Sequence, residues 1–593
     1  MKYTISERTV MRMSKQVMIG LASGMAMCWS AVAAPPPALD RVPDDAAVAF
    51  VMPSMQGLVT DLRSFVDRVV SEAERADALA GLDMFNGILN MPGMNAGGSA
   101  AAVMYVDQDD GMGTPPIVLV IPVSDFSQLR ESMTAEGEGP VYEGQINGES
   151  VYMKDIGGGF AAAGPMPELV QEFSGQAGHL AGHVERLGMQ GQASLGANDM
   201  VMIANLEILS PYIKMAGEQM QQQMAMIMTM AGPQAAQMQP MMEMASGLMT
   251  RLADEGRTAV VGAQIDEKGV SFDSGVQFKD GTESFTMLAD GGKASGLLNR
   301  LPGSDFMFAY ALDASHTGVA KAFEHLAKMS EQAGGGVKGV SFLEMVQHAK
   351  GMAGAMGSVP MMGAGLFSNF VTVTLTDEAG QTLQTMGSAV REANGQSAQG
   401  LKYTTAWEDA AAEIAGVKVS SYSMQMMPDG SPESQQMAPM MMIMPTLFGP
   451  NGGPNGYMAA VDGAVVQTMS QNTPLMEKAI KAAKDGNGLG SGEAIKAVGG
   501  HLPDNRVFEV YLSVDQVMNT VGPMAAMFGA MPNFEKVDKL TPIGFGTATG
   551  QGGMLNRVYV PNDVLSWFVK FADQMDSGEF EEAPAEEQGG PRF

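Results

Sequence analysis

The chain has 593 residues, a formal net charge of −30 and a single cysteine, Cys28. So acidic a surface repels phosphate backbones and anionic lipid, which argues against nucleic acid as a partner. Cys28 falls in an N-terminal leader, so the remaining chain offers no disulfide, zinc–thiolate site or cysteine nucleophile.

The leader has its own grammar. Lys2, Arg8, Arg12 and Lys15 accompany an apolar run from Val17 to Val32, and Ala31-Val32-Ala33 is a small-residue cleavage pattern. This predicts a signal peptide over 1–33 and a periplasmic or extracellular mature chain. The apolar run is short for a bilayer span and meets Pro35-Pro36-Pro37 at once. A lipid anchor on Cys28 needs a small residue before it, where Met27 stands.

Residues 34–40 read as a Pro-rich leader. A strand follows over Ala46 to Met52, then a helix capped by Ser54 with Leu58, Leu62, Phe65, Val66 and Val69 on one face. Ala101 to Val106 and Ile117 to Val123 read as paired strands. Tyr142 to Asp155 is a hairpin about Asn147-Gly148, a preferred two-residue turn. A strand near Phe160 leads to a helix opened by Pro165 or Pro167. Met200 to Asn205 is the next strand, and Ser210 to Leu252 fits a helical hairpin broken at Gly232-Pro233. Thr258 to Ile265, Val270 to Phe278 and Ser284 to Leu288 alternate as an antiparallel meander.

From Leu301 the order restarts. A strand over Phe306 to Leu312 precedes helices near Gly318 to Met329 and Phe342 to Met352. Strands follow at Phe370 to Leu375, Tyr403 to Trp407 and Val417 to Met424. After a Met- and Pro-rich insertion from Gln425 to Gly456 comes a hairpin about Asp462-Gly463 and a helix opened by Pro474. The chain closes with a strand and helix after Pro503, strands at Ile543 to Thr549 and Met554 to Val560, and a helix beginning at Pro561. Residues 575–593 are acidic and almost without aliphatic side chains, so a disordered tail is expected.

Four strand starts share one pattern: Val42-Pro43-Asp44-Asp45, Leu195-Gly196-Ala197-Asn198, Leu301-Pro302-Gly303-Ser304 and Leu502-Pro503-Asp504-Asn505. With the repeated element order, they predict an α+β protein of two pseudo-repeated halves, 41–290 and 297–574. Antiparallel sheets with packed helices and a helical hairpin complete that expectation.

Candidate chemistry is sparse. Methionine occurs 56 times. Its thioethers suit soft ions such as Cu(I), and Met437, Met440, Met441, Met442 and Met444 form the densest irregular, Pro-broken cluster. Enrichment along the whole chain favours the plainer reading, Met as a flexible core filler, buried against strands in the 210–252 hairpin. A third reading is that Met-lined surfaces form an adaptable groove for apolar ligands or partner helices. His179 and His183 lie four apart in a Gly-rich stretch read as an exposed linker. Asp107-Gln108-Asp109-Asp110-Gly111 lacks the oxygen ligand that a calcium loop needs at its fifth position. Gly157-Gly158-Gly159 has no Lys-Ser/Thr after it and is no P-loop. The pair Glu408-Asp409 has nothing nearby in sequence to orient it. No cofactor motif and no catalytic residue can be named.

The opening Arg41-Val42-Pro43-Asp44-Asp45-Ala46 and the closing Gly553-Met554-Leu555-Asn556-Arg557-Val558-Tyr559-Val560-Pro561 resemble a loose group of bacterial exported proteins of unknown function. In that group Pro-Asp-Ala strand starts precede long α+β repeats. The resemblance implies fold and compartment, and brings no functional residues. The leading expectation is a non-enzymatic envelope binding or scaffold protein, with an apolar ligand or an envelope protein as partner. A periplasmic copper binder and an enzyme with an unmarked carboxylate site are the alternatives. N-terminal sequencing of the protein from its host should read Ala34-Pro35-Pro36; retention of Lys2, or lipid on Cys28, would remove the basis for export.

Overall fold

Short alternating segments punctuated by Gly, Pro, Asn and Asp turns become strands, and the amphipathic stretches between them become helices. A computed structural model describes residues 34–106, 116–137, 139–146, 148–231, 235–332, 348–359, 364–398, 400–431, 434, 437–527 and 536–577. The expected signal peptide, the Asp107–Gly111 turn and residues 578–593 lie outside the described residues.

A 3-10 turn at Pro37–Arg41 leads to β1 (Val48–Met52), α1 (Met55–Val69), α2 (Glu72–Leu89), β2 (Ala100–Met104), β3 (Ile117–Pro122) and α3 (Phe126–Ser132). Next come β4 (Tyr142–Ile146), β5 (Glu149–Gly157), β6 (Phe160–Gly164), α4 (Pro167–Glu172) and α5 (Leu180–Ala197). β7 (Met200–Asn205) opens into the hairpin α6 (Leu206–Ala231) and α7 (Ala235–Glu255), followed by β8 (Gly256–Ile265), β9 (Gly269–Phe278) and α8 (Glu283–Met287). A second 3-10 turn, Leu297–Arg300, precedes β10 (Phe308–Leu312), α9 (Thr317–Gln332), β11 (Gly351–Met356), β12 (Phe370–Leu375) and α10 (Ala379–Glu392). Then come β13 (Ser397–Ala398), β14 (Leu401–Ile414), β15 (Val417–Pro428), α11 (Ala438–Phe448), β16 (Asn455–Val461) and β17 (Ala464–Thr468). The chain ends with α12 (Thr473–Asp485), α13 (Glu493–Gly499), β18 (Arg506–Leu512), α14 (Val514–Met527), β19 (Ile543–Gly550), β20 (Gly553–Pro561) and α15 (Asn562–Ser577).

The protein is α+β. Among the described residues, 15 α-helices pack on one 20-stranded sheet, antiparallel throughout. From edge to edge the pairings run β4-β5-β6-β3-β2-β1-β7-β8-β9-β20-β19-β18-β10-β11-β12-β17-β16-β15-β14-β13. The seam is β9–β20, a nine-residue ladder from Gly269 opposite Pro561 to Gln277 opposite Gly553.

One face of the sheet is closed by helices. Leu39, Val42, Ala49, Val103, Val120, Leu187, Leu195 and Ile203 form a core beneath α4 and α5. Leu298, Leu301, Ala309, Ala355, Val373, Ile480, Val498 and Tyr511 form another beneath α12 and α13. Each large aliphatic chain so buried contributes about 1.5–3 kcal/mol. The seam carries its charge on this face: Arg557 Nε and Nη2 lie 2.5 and 2.7 Å from the two carboxylate oxygens of Asp273. Asn198 Nδ2 donates to the same carboxylate at 2.7 Å, and Arg557 Nη1 donates to His501 O.

Four expectations need correction. The His179–His183 stretch is no linker, because α5 runs through it. Gly188 breaks that helix at φ 61°, and a Cβ there would meet Gln277 Oε1 at 2.1 Å. Ser284 to Leu288 is not a strand: Thr282 caps α8 by accepting from Phe285 N. The helix expected over Phe342 to Met352 gives way at its end to β11, whose Gly, Ala and Met residues pair with β10 and β12; residues 342–347 of it lie outside the described residues. And α15 extends to Ser577, into the first residues of the expected tail.

Removing one partner of a buried ion pair strands the other charge. Arg557→Met should therefore cost about 3–5 kcal/mol in urea unfolding, and adding Asp273→Leu should return most of it. A variant Arg557→Met as stable as the parent would show that the seam does not depend on this pair.

Candidate functional site

Directly opposed residues of neighbouring strands share a sheet face. Following the register from Leu119 across Ala102, Phe50, Met202 and Val261 traces the middle of the second face through β3, β2, β1, β7 and β8. Beyond Val261, Phe272 on β9 opens the row Phe272, Val558, Phe545, Val510 and Tyr310, through β20, β19 and β18 to β10. Part of this row reaches solvent. Phe50 is 42 %, Val261 47 % and Phe272 39 % exposed, Leu119 is also exposed, and the remaining large ones are half-buried.

None of the opposed residues on this face from β3 to β11 is charged. Its polar side chains concentrate at the seam. Ser274 stands opposite Asn556, and Asn556 opposite Thr547. Thr547 Oγ1 donates to Asn556 Oδ1 at 2.8 Å.

Helices rise around the rim. Leu62, Phe65 and Val69 of α1 pack on Ile265 and Val270 with Leu565 and Val569 of α15. Leu129 of α3 closes the face over Ala161 and Ala163, and Met386 and Val390 of α10 close it over Met458 and Val465. Phe323 of α9 packs toward Met352. Glu283 of α8 pairs with Arg251 of α7 and Lys321 of α9, tying three helices together at one end. This open face, bordered by helices, is called the trough.

The candidate methionines do not line it. α11 is a regular helix through the segment expected to be irregular, with Met441 N donating to Met437 O. Met444 is buried, Met442 is 82 % exposed, and Met437 and Met441 are half-buried; the side chain of Met440 lies outside the described residues. The helix sends neighbouring sulfurs to different surroundings. Nor does the α6–α7 hairpin bury its described methionines against strands: Met226 is 67 % exposed and Met215 is exposed too. Met52, Met104, Met200, Met202 and Met554 do sit on the trough face.

A second cluster lies at the N-terminus of α5. His183 is buried, its Nε2 2.8 Å from Val42 O, and burial lowers its pKa. His179 Nδ1 is 2.9 Å from Asp44 Oδ2, and Arg186 also pairs with Asp44. Sequence reasoning missed this because Asp44 is remote in the chain. Among the described residues no group of three or more His, Cys, Asp or Glu could hold a metal ion, and no helix is long and apolar enough to cross a membrane.

A third cluster bridges the seam. His501 Nδ1 is 3.0 Å from Asp266 Oδ2, and its ring stacks on Tyr559 at 4.0 Å. Burial pushes Asp266 up, but the His501 contact and the Lys268 and Gly269 amides outweigh it and leave its pKa lowered. Asp199, nearby, is pushed up to about 7 by burial, with Asp61 and Asp266 adding to the rise against the Ile265 N–H.

Comparison with protein-family models, curated proteins and solved structures finds no match to this chain.

Because folding raises the Asp199 pKa, the native state holds a proton that the unfolded chain has released between about pH 4 and pH 7. Stability from this group is therefore greatest below that window and falls as pH rises through it. In urea titrations Asp199→Asn should gain stability over the parent at pH 8 and little at pH 4. An equal effect at both values would show that Asp199 does not titrate in that range.

Proposed function

We propose that this chain is an exported, non-enzymatic binding or scaffold protein of the cell envelope, and that the trough holds its apolar ligand or partner. One observation carries the reading. A chain of net charge −30 keeps every charged side chain off the opposed positions of the open sheet face from β3 to β11. An antiparallel sheet with one solvated face ordinarily alternates apolar and polar residues. Here the open face is apolar too, as in sheets covered on both sides. Export rests on the Lys2–Ala33 leader pattern.

We also propose that the scaffold arose by duplication of one half. Support comes from pairing order: β4-β5-β6-β3-β2-β1-β7-β8-β9 corresponds to β15-β16-β17-β12-β11-β10-β18-β19-β20. Registers correspond too. Ala49 pairs with Val103 and Ile203 as Ala309 pairs with Ala355 and Tyr511. Gly262 opposes Asp273 as Gly546 opposes Arg557, so the seam's ion pair joins equivalent positions. Leu39, Val42 and Leu195 are buried like Leu298, Leu301 and Leu502. An experimental structure with different strand orders in 41–290 and 297–574 would overturn the duplication.

Native mass spectrometry of the mature chain purified without detergent tests the function. A co-purifying apolar species is the expected result. Protein carrying only copper, or protein that stays empty after exposure to apolar ligands, would reject it.

A further inference from the structure

We propose that the trough takes the hydrocarbon of individual neutral or zwitterionic lipids, their acyl chains lying along the face and their polar linkage at the seam. This rests on the binding reading above and commits it to one occupant.

Geometry is the first argument. From Leu119 on β3 to Tyr310 on β10 the face crosses ten strands, about 40 Å at a spacing of ~4.8 Å. At the usual twist of about 20–25° between neighbouring strands, a path of this length turns through roughly half a revolution. A straight helix cannot follow such a path, and a flat bilayer surface cannot lie against it. A flexible hydrocarbon chain can.

Hydrogen bonding is the second. The trough strands are interior to the sheet, paired on both edges, so a peptide cannot be added to them as a further strand. An extended peptide laid over Phe50, Met202, Val261 and Phe272 would bring amides with no partners there, a costly desolvation. Hydrocarbon carries none.

Charge is the third. The floor offers no cation to a carboxylate or phosphate, and the chain as a whole repels anions. What it offers is the uncharged group Ser274, Asn556 and Thr547, midway between the apolar stretches of the two halves. Amide and hydroxyl groups suit an ester or hydroxyl linkage, and apolar floor extends from them in both directions.

The test uses the purified mature chain after lipid removal, with two probes: a phosphatidylcholine bearing a parinaroyl chain, and Nile red as a general reporter of apolar surface. Val261→Asp and Leu512→Asp place a carboxylate at exposed trough positions, one in each proposed half. Circular dichroism and melting identify correctly folded variants, and either one suffices. The parent should bind the lipid probe, and a folded variant should bind it about tenfold or more weakly, because a carboxylate resists burial under hydrocarbon. If Nile red binds the parent and is lost in the variants while the lipid probe neither binds nor displaces it, the lipid assignment fails and the binding reading stands. If Nile red is unaffected by either folded variant, the trough is not a binding surface and both fail.

Discussion

The β9–β20 ladder is the constraint from which the rest follows. Without it the sheet would be two sheets, each exposing an edge strand of nine or ten residues that could pair with other chains. With it, the strands from β4 to β13 form one continuous sheet, whose outer edges are the five-residue β4, the two-residue β13 and the part of β14 that β13 does not reach. Asp273 and Arg557 sit in this seam beneath α5, out of water. A slip of the ladder would separate them and carry both charges into an apolar layer. A buried pair of this kind adds little net stability, yet it penalises the wrong register strongly. The contacts of Asn198 with Asp273, and of Arg557 with His501, extend that control to the loops before β7 and β18.

The seam also dictates where the open face lies. Because the two nine-strand series meet edge to edge rather than face to face, neither covers the other. Helices must close both surfaces. On one they do, through α4, α5, α12 and α13. On the other they stop at the rim: α1 and α15 at one end, α7, α8 and α9 at the other, α3 and α10 at the flanks. The central strands keep the apolar composition of a doubly covered sheet over a surface that the described helices leave open.

Strands and tight turns were the legible part of the sequence. Asn147-Gly148 and Asp462-Gly463 announce their hairpins, and β8–β9 and β19–β20 follow from plain alternation. α5 was not legible, because Gly178, Gly182, Gly188 and Gly191 resemble a linker, while close packing requires some of them: at Gly188 any side chain would collide with Gln277. β11 was hidden by its Gly, Ala and Met content, which suits the crowded space beside Tyr310 but carries no strand propensity; a Cβ on Gly354 would meet the Tyr310 ring at 2.5 Å. The trough was out of reach for another reason. Val-Ala-Phe-Val-Met in β1 tells a reader that both faces are apolar. Which face stays open depends on where helices from remote parts of the chain come to rest.

Methionine abundance in the sequence is a poor guide to the open face. The conspicuous runs lie in α6, α7 and α11, and in α11 Met441, Met442 and Met444 have different surroundings. Met215, Met226 and Met442 are left in solvent and make no shared surface with the trough. The methionines that count toward the trough are isolated in sequence: Met52, Met104, Met202 and Met554 come from four strands, and the sheet register alone gathers them. A thioether chain is unbranched and has three rotatable bonds, so it conforms to irregular apolar neighbours. Set among the rigid rings of Phe50, Phe272 and Phe545, such side chains would let the proposed hydrocarbon site adjust to chains of varied length. A lining of β-branched residues alone, with its restricted rotamers, would offer less.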